Sequence, residues 1–122
     1  MAGLSTDTED TAAVLALGEC PCVARILPNG VRSTLMADGT RIRVLRCVTG
    51  SDGRETPIAL LPANGRIHNL MLRACGGQIV RFTGRPRLWM PSAGRPVLAF
   101  TVTNLSLEDT SEARMLRAGS DQ

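Results

Sequence analysis

The sequence predicts an all-β barrel of five strands with one helix between the third and the fourth. Three observations predict it. Short segments rich in Val, Ile and Leu recur between turns that carry glycine. One segment, Arg66 to Cys75, instead places Ile67, Leu70, Met71 and Ala74 at helical spacing. Two further strand-like segments follow it. The order β-β-β-α-β-β is the connectivity of an OB barrel, and an SH3-like or other small α+β barrel is the alternative that the same segments allow.

Each element has its own local signal. Residues 1–19 carry Asp7, Glu9, Asp10 and Glu19 with no cation and little to bury, so they are expected to be disordered, with Ala12 to Leu17 as a helical turn or a lead-in. The folded domain is expected over 20–107. Cys22 to Leu27 is strand-like, Pro28-Asn29-Gly30 is a turn, and Val31 to Met36 extends the sheet before the turn Ala37-Asp38-Gly39. In Thr40 to Thr49, Ile42, Val44 and Leu45 interleave with Arg41, Arg43 and Arg46. The alternation breaks at Leu45-Arg46-Cys47-Val48, which predicts a bulge or a change of face.

Gly50-Ser51-Asp52-Gly53 forms a hairpin turn, Thr56 to Leu61 the third strand, and Pro62-Ala63-Asn64-Gly65 closes it. Gly76-Gly77 stops the helix. Strands over Gln78 to Leu88 and Val97 to Leu107 are joined through Pro91-Ser92-Ala93-Gly94. The acidic tail, 108–122, is expected to be helical over Ser111 to Arg117 and to fray through Gly119-Ser120. The periodic segments place Val23, Ile26, Val44, Leu60, Leu70, Val80, Leu98 and Val102 in the core, together with Phe82 and Phe100.

Charge is unevenly distributed along the 122 residues. All 14 basic residues are arginine, and the net charge is +3. Residues 20–107 hold 12 arginines against Asp38, Asp52 and Glu55, a net of +9. A domain of that charge is built to meet an anion, and nucleic acid is the common one. No apolar run approaches the ~20 residues that span a bilayer. The N-terminus lacks the basic start and apolar block of a signal peptide, so a cytoplasmic location is expected.

Several chemistries find no support. Cys20, Cys22, Cys47 and Cys75 include no pair at the spacing of a zinc site, since a single residue separates Cys20 from Cys22. Free thiols at apolar positions are the expectation, with no metal and no cofactor. His68 has no sequence-evident partner, no Walker-type loop is present, and no paired carboxylates fall in the core, so no enzyme is expected.

Gly84-Arg85-Pro86-Arg87-Leu88-Trp89 carries the chain's only tryptophan on an arginine-rich strand. Cations beside one aromatic can hold a phosphate backbone while a base stacks. The candidate nucleic-acid-binding residues are Arg41, Arg43, Arg81, Arg85, Arg87, Trp89 and Arg95. Arg41 and Arg43, two apart on a strand, share a face. Trp89 serves equally well as a barrel plug or an interface anchor.

From Cys22 to Leu107, 86 of the 122 residues, the chain resembles the bacterial single-stranded DNA-binding proteins and their primosomal relatives. Ala37-Asp38-Gly39-Thr40 and the alternating strand after it resemble that family's glycine turn and second strand. Helix 66–75 followed by Gly76-Gly77-Gln78-Ile79-Val80-Arg81-Phe82-Thr83-Gly84-Arg85 resembles its helix and fourth strand. Arg85-Pro86-Arg87-Leu88-Trp89 with Gly94-Arg95 resembles its basic hairpin. The resemblance implies base stacking by Trp89 and backbone contacts by Arg85, Arg87 and Arg95.

The chain departs from that pattern in having no tyrosine, no aromatic in Thr56-Pro57-Ile58-Ala59-Leu60-Leu61, and a tail ending Gly119-Ser120-Asp121-Gln122 without an apolar tip. The expected function is sequence-nonspecific binding of single-stranded DNA or RNA in replication, recombination or plasmid transfer, by a homo-oligomer (a dimer or tetramer) whose pairing protects open strand edges. A protein–protein interaction or assembly module is the alternative.

Overall fold

A computed structural model describes residues 20–50, 53–90 and 94–120. The expectations for residues 1–19 and for the two loop tips, 51–52 and 91–93, lie outside the described residues. Strands β1 (Cys20–Leu35), β2 (Arg41–Thr49) and β3 (Thr56–Pro62) are followed by helix α1 (Gly65–Met71). Strands β4 (Ile79–Trp89) and β5 (Val97–Glu108) and helix α2 (Ser111–Ser120) complete the chain. The five strands close into a barrel in the order β1-β2-β3-β5-β4. Only β3 and β5 run parallel; the other pairs are antiparallel. This is an OB barrel.

One core fills it. Ile26, Leu45, Cys47, Ile58, Leu60, Val80, Phe82, Phe100 and Val102 meet Ile67 and Met71 of α1, which plugs one end. Phe82 and Phe100 pack edge to face, with ring centroids 5.2 Å apart. Burial of Cys47 pushes its thiol up to about 12, so it behaves as a small apolar side chain. The expected core holds with three adjustments. Leu70 and Leu98 are only partly buried against it. Val23 is 47% exposed, because β1 turns Cys22, Ala24 and Ile26 inward and Val23 outward.

Two local expectations change. Pro28-Asn29-Gly30 does not reverse the chain. β1 runs through it as an irregularity: Ile26 faces Cys47 while Val31 already faces Leu45, so the extra residues bulge out of the ladder. Glycine is required there, since a Cβ on Gly30 would collide with the Arg46 carbonyl oxygen. The alternation break at Leu45 involves no bulge in β2, which pairs with β3 without interruption from Leu45 to Thr49. Val44 and Leu45 are both buried because both faces of the sheet are covered there.

Helix α1 starts where Asn64 Oδ1 accepts the Ile67 N–H at 3.0 Å. It is shorter than the 66–75 expected. After Met71 the chain tightens into turns, with Arg73 N–H bonded to Leu70 O and Ala74 N–H to Met71 O, both at 3.1 Å.

Helix α2 extends through Ser120, past the expected Arg117, and docks on the loop before β4. The Thr110 hydroxyl donates to Gly77 O at 2.7 Å and accepts the Ala113 N–H at 3.0 Å. Gly77 has φ +88°, and a Cβ there would lie 2.9 Å from Ala113 N. Ala113 is fully buried. Small residues on both sides allow the close approach.

Candidate nucleic-acid interface

Strand alternation sorts the arginines. On β2, Leu45 and Cys47 enter the main core, so Ile42, Val44, Arg46 and Val48 point to the opposite, outer face. On β4, Val80 and Phe82 point inward, as do the positions of Gly84 and Pro86, whereas Leu88, on that same side of the strand, is exposed. Arg81, Thr83, Arg85, Arg87 and Trp89 therefore lie on the outer face. On β5, Phe100 and Val102 are inward, and Val97, Ala99 and Thr101 are outward.

Register then assembles the outer face into rows. Arg46 lies opposite Ala59, Ala59 opposite Ala99, and Ala99 opposite Arg87. That row crosses four strands with an arginine at each end, roughly 14 Å apart at a strand spacing of about 4.8 Å. In the neighbouring row Arg32 faces Val44 at one side, while Leu61 faces Thr101 and Thr101 faces Arg85 at the other. Trp89, opposite Val97, is half-buried. It packs with Met36, Ile42 and Val97 over the buried spine Val44, Ala59, Leu61 and Ala99. Trp89 is thus held from beneath, with Arg87 two residues before it on the same face.

The seven candidates do not form one cluster. Arg85, Arg87 and Trp89 share the outer face, and Arg95 is exposed just before β5. Arg41 and Arg43 do share a strand face, as expected, but it is the other one, facing the α1 side. There the Arg43 backbone N–H donates to His68 Nε2 at 3.1 Å, which fixes that ring nitrogen as an acceptor. Arg81 is on the outer face and bonds Glu108 at 3.4 Å. Sequence reasoning left out Arg32 and Arg46, which form the far ends of the rows. The signal for Arg46 was present: taking Leu45 and Cys47 as inward puts Arg46 outward beside Val44.

Carboxylates are arranged so that these rows stay cationic. Glu55 and Glu112 reach Arg25 at 3.1 and 3.8 Å, and Glu108 holds Arg81. Asp109 binds Arg117 at 2.7 Å and Arg114 at 3.6 Å. The Arg117 guanidinium holds the Asp109 carboxyl down at about 2. Asp38 is taken by its own turn: Thr40 donates its hydroxyl to Oδ1 at 2.6 Å and its N–H at 3.0 Å, which lowers the carboxyl below its ordinary value. Among the described residues, Arg32, Arg41, Arg43, Arg46, Arg85, Arg87 and Arg95 have no ion-pair partner.

No protein-family model and no curated protein matches this chain. Solved structures do resemble it. A small single-stranded DNA-binding protein from Streptomyces coelicolor aligns with a TM-score of 0.59 at 13% identity, over 77% of this chain and 94% of that one. The SSB domain of a Synechococcus sp. protein aligns with a TM-score of 0.51 at 17% identity, over 73% of this chain and 93% of that domain. The chain has the fold of single-stranded DNA-binding proteins. At these identities the likeness concerns the barrel and its connectivity, and the binding residues are argued from this chain's own geometry.

Proposed function

We propose that this protein binds single-stranded nucleic acid, without sequence preference, on the outer face of β2, β3, β5 and β4, and that it serves DNA replication, recombination or plasmid transfer in the cytoplasm. The observation that carries the reading is the pair of rows ending in Arg32, Arg46, Arg85 and Arg87, none with a carboxylate partner among the described residues, around a supported tryptophan. The arginines neutralise phosphates, Arg95 extends the charge at the hairpin, and one base stacks on the free side of Trp89. Arg81 contributes less, because Glu108 already offsets its charge.

Sequence independence follows from the side chains in the rows. Along the two rows and around Trp89 the positions are Arg, Val, Ala, Leu, Thr, Ile, Met and Trp, with no Asn or Gln to read a base edge through paired hydrogen bonds. Asn104, opposite Thr83, lies further along β5 and its Oδ1 accepts the Leu105 N–H. With a single aromatic platform, affinity rests mainly on charge and is strongly salt-dependent.

Self-association belongs to the same reading, but its basis shifts. The barrel is closed, so edge protection is a weak motive. The apolar side chains of Val23, Leu88 and Met90, 47–67% exposed, are what a dimer or tetramer would cover. Light scattering tests this by a mass above that of one 13.0 kDa chain.

The function is tested by titrating a labelled mixed-sequence oligonucleotide at two salt concentrations. Binding that weakens steeply with salt and is indifferent to sequence supports the proposal. Undetectable binding at low salt, or affinity that ignores salt, would replace it with the assembly-module reading.

A further inference from the structure

We infer that a bound single strand does not stay on the Trp89 face but rounds the edge of β2 and meets a second cationic track, Arg41 and Arg43, on the α1 side of that strand. The inference rests on the proposed function and adds the path. Its first support is the alternation of β2, which turns Arg46 to one face and Arg41 and Arg43 to the other. Arg43 and Arg46 are three positions apart, about 10 Å along a strand. The two tracks are therefore neighbours in space but back to back across one layer of sheet.

The second support is a route between them. The ladder between β2 and β3 begins at Leu45, opposite Leu60. From Arg41 to Val44, β2 is paired only with β1, and on its other side it meets α1 through the Arg43–His68 hydrogen bond. Among the described residues no strand pairs with that edge, and because α1 covers it at Arg43 the bound strand rounds it nearer the exposed Arg41.

The third support is the character of the second track. Arg41 is exposed and Arg43 half-buried, and among the described residues neither has an ion-pair partner. Leu35, 61% exposed, lies opposite Arg41 on β1, and Ser33 lies opposite Arg43. A cation next to an exposed apolar side chain suits a phosphate followed by a sugar or base. Short ligands can be satisfied by the Trp89 face alone, whereas longer ones gain the second track.

The test uses the full chain and homopolymeric thymidine oligonucleotides of about 6 and about 16 nucleotides, within the range one OB fold covers. Arg41→Gln/Arg43→Gln keeps the backbone N–H that bonds His68, and its melting temperature is checked against the parent. At about 0.7 of salt slope per phosphate on a single strand, the double change should flatten the long ligand's slope by about 1.4 and weaken it roughly tenfold at 0.2 M salt. The short ligand should change less than about twofold. Arg87→Gln, on the first face, should weaken both lengths.

Equal loss for the two lengths, or no loss for either, overturns the path. Should the double variant fail to fold, Arg41→Gln alone, at an exposed position, carries the same comparison with a slope change of about 0.7. Absence of parent binding at either length would instead overturn the proposed function, an outcome distinct from both lengths binding and responding alike.

Discussion

The sharpest consequence of the charge arrangement is that arginines on the same strand should not contribute equally to binding. Arg81, Arg85 and Arg87 all lie on the outer face of β4, but among the described residues only Arg81 has a carboxylate partner, Glu108 at 3.4 Å. A phosphate meeting Arg85 or Arg87 releases a counterion. A phosphate meeting Arg81 must first displace Glu108, with little net release. Each free contact contributes about −0.7 to the slope of log affinity against log salt, so Arg85→Gln/Arg87→Gln should flatten the slope by about 1.4.

Relative to a 1 M reference, the same relation gives an affinity loss of about 70-fold at 50 mM salt and about tenfold at 200 mM. Arg81→Gln should move the slope by well under 0.7. Fluorescence anisotropy of a labelled oligonucleotide across five salt concentrations reads all three variants. If Arg81→Gln flattened the slope as much as Arg87→Gln, the pairing with Glu108 would have no bearing on binding. If the double variant left the slope unchanged, the outer face would not be the interface.

Trp89→Ala should weaken binding by about 1–2 kcal/mol through lost stacking. It should also lower folding stability by on the order of 2 kcal/mol, part of what a fully buried tryptophan loses, because one side of the ring packs on Val44, Ala59, Leu61 and Ala99. Trp89→Leu, compared by titration and by thermal melts, should keep most of the stability and still lose the stacking. Gly77→Ala should be destabilising by roughly 2–3 kcal/mol, about 10 °C in Tm, combining a left-handed φ with a Cβ driven against α2. A melt within 2–3 °C of the parent would refute the docking account.

The pH dependence of α2 docking follows from Asp109. Its carboxyl sits at about 2 rather than the ordinary 3.8, so its stabilising effect is complete above the higher value and is lost as pH falls through the lower. Acid titration of the Tm should show that loss between about pH 4 and pH 2, and Asp109→Asn should remove it.

Much of the fold was legible because local chemistry and tertiary structure agree. The spacing of Ile67, Leu70 and Met71 puts one apolar face on α1, continued by Ala74 in the turn after it, and Asn64 caps the helix just after the preceding strand ends. Asp38 and Gly39 make the turn between β1 and β2 by side-chain hydrogen bonds and a positive φ. Other features were not legible for stated reasons. Pro28-Asn29-Gly30 has turn chemistry, yet whether the chain reverses or bulges is decided by the pairing of β1 with β2.

Val23 and Cys22 are both apolar, and only the partner register tells which points inward. For the interface, spacing showed that Arg41 and Arg43 share a face but not which face. The ends of the rows, Arg32 and Arg46, come from pairings between distant strands that no local window contains. The tail appeared in sequence as an acidic excess, whereas the folded chain uses Glu108, Asp109 and Glu112 against particular arginines.

Trp89 is the only tryptophan in the chain, so its emission reports on the proposed interface without a label. The most direct test of the central claim is therefore a titration of the full-length protein with unlabelled single-stranded DNA, following intrinsic fluorescence at low salt and again after salt is added. Saturable quenching is expected, reversing with salt and equal for oligonucleotides of different sequence. Emission that stays unchanged while an independent assay shows the DNA bound would place the nucleic acid elsewhere and contradict that claim.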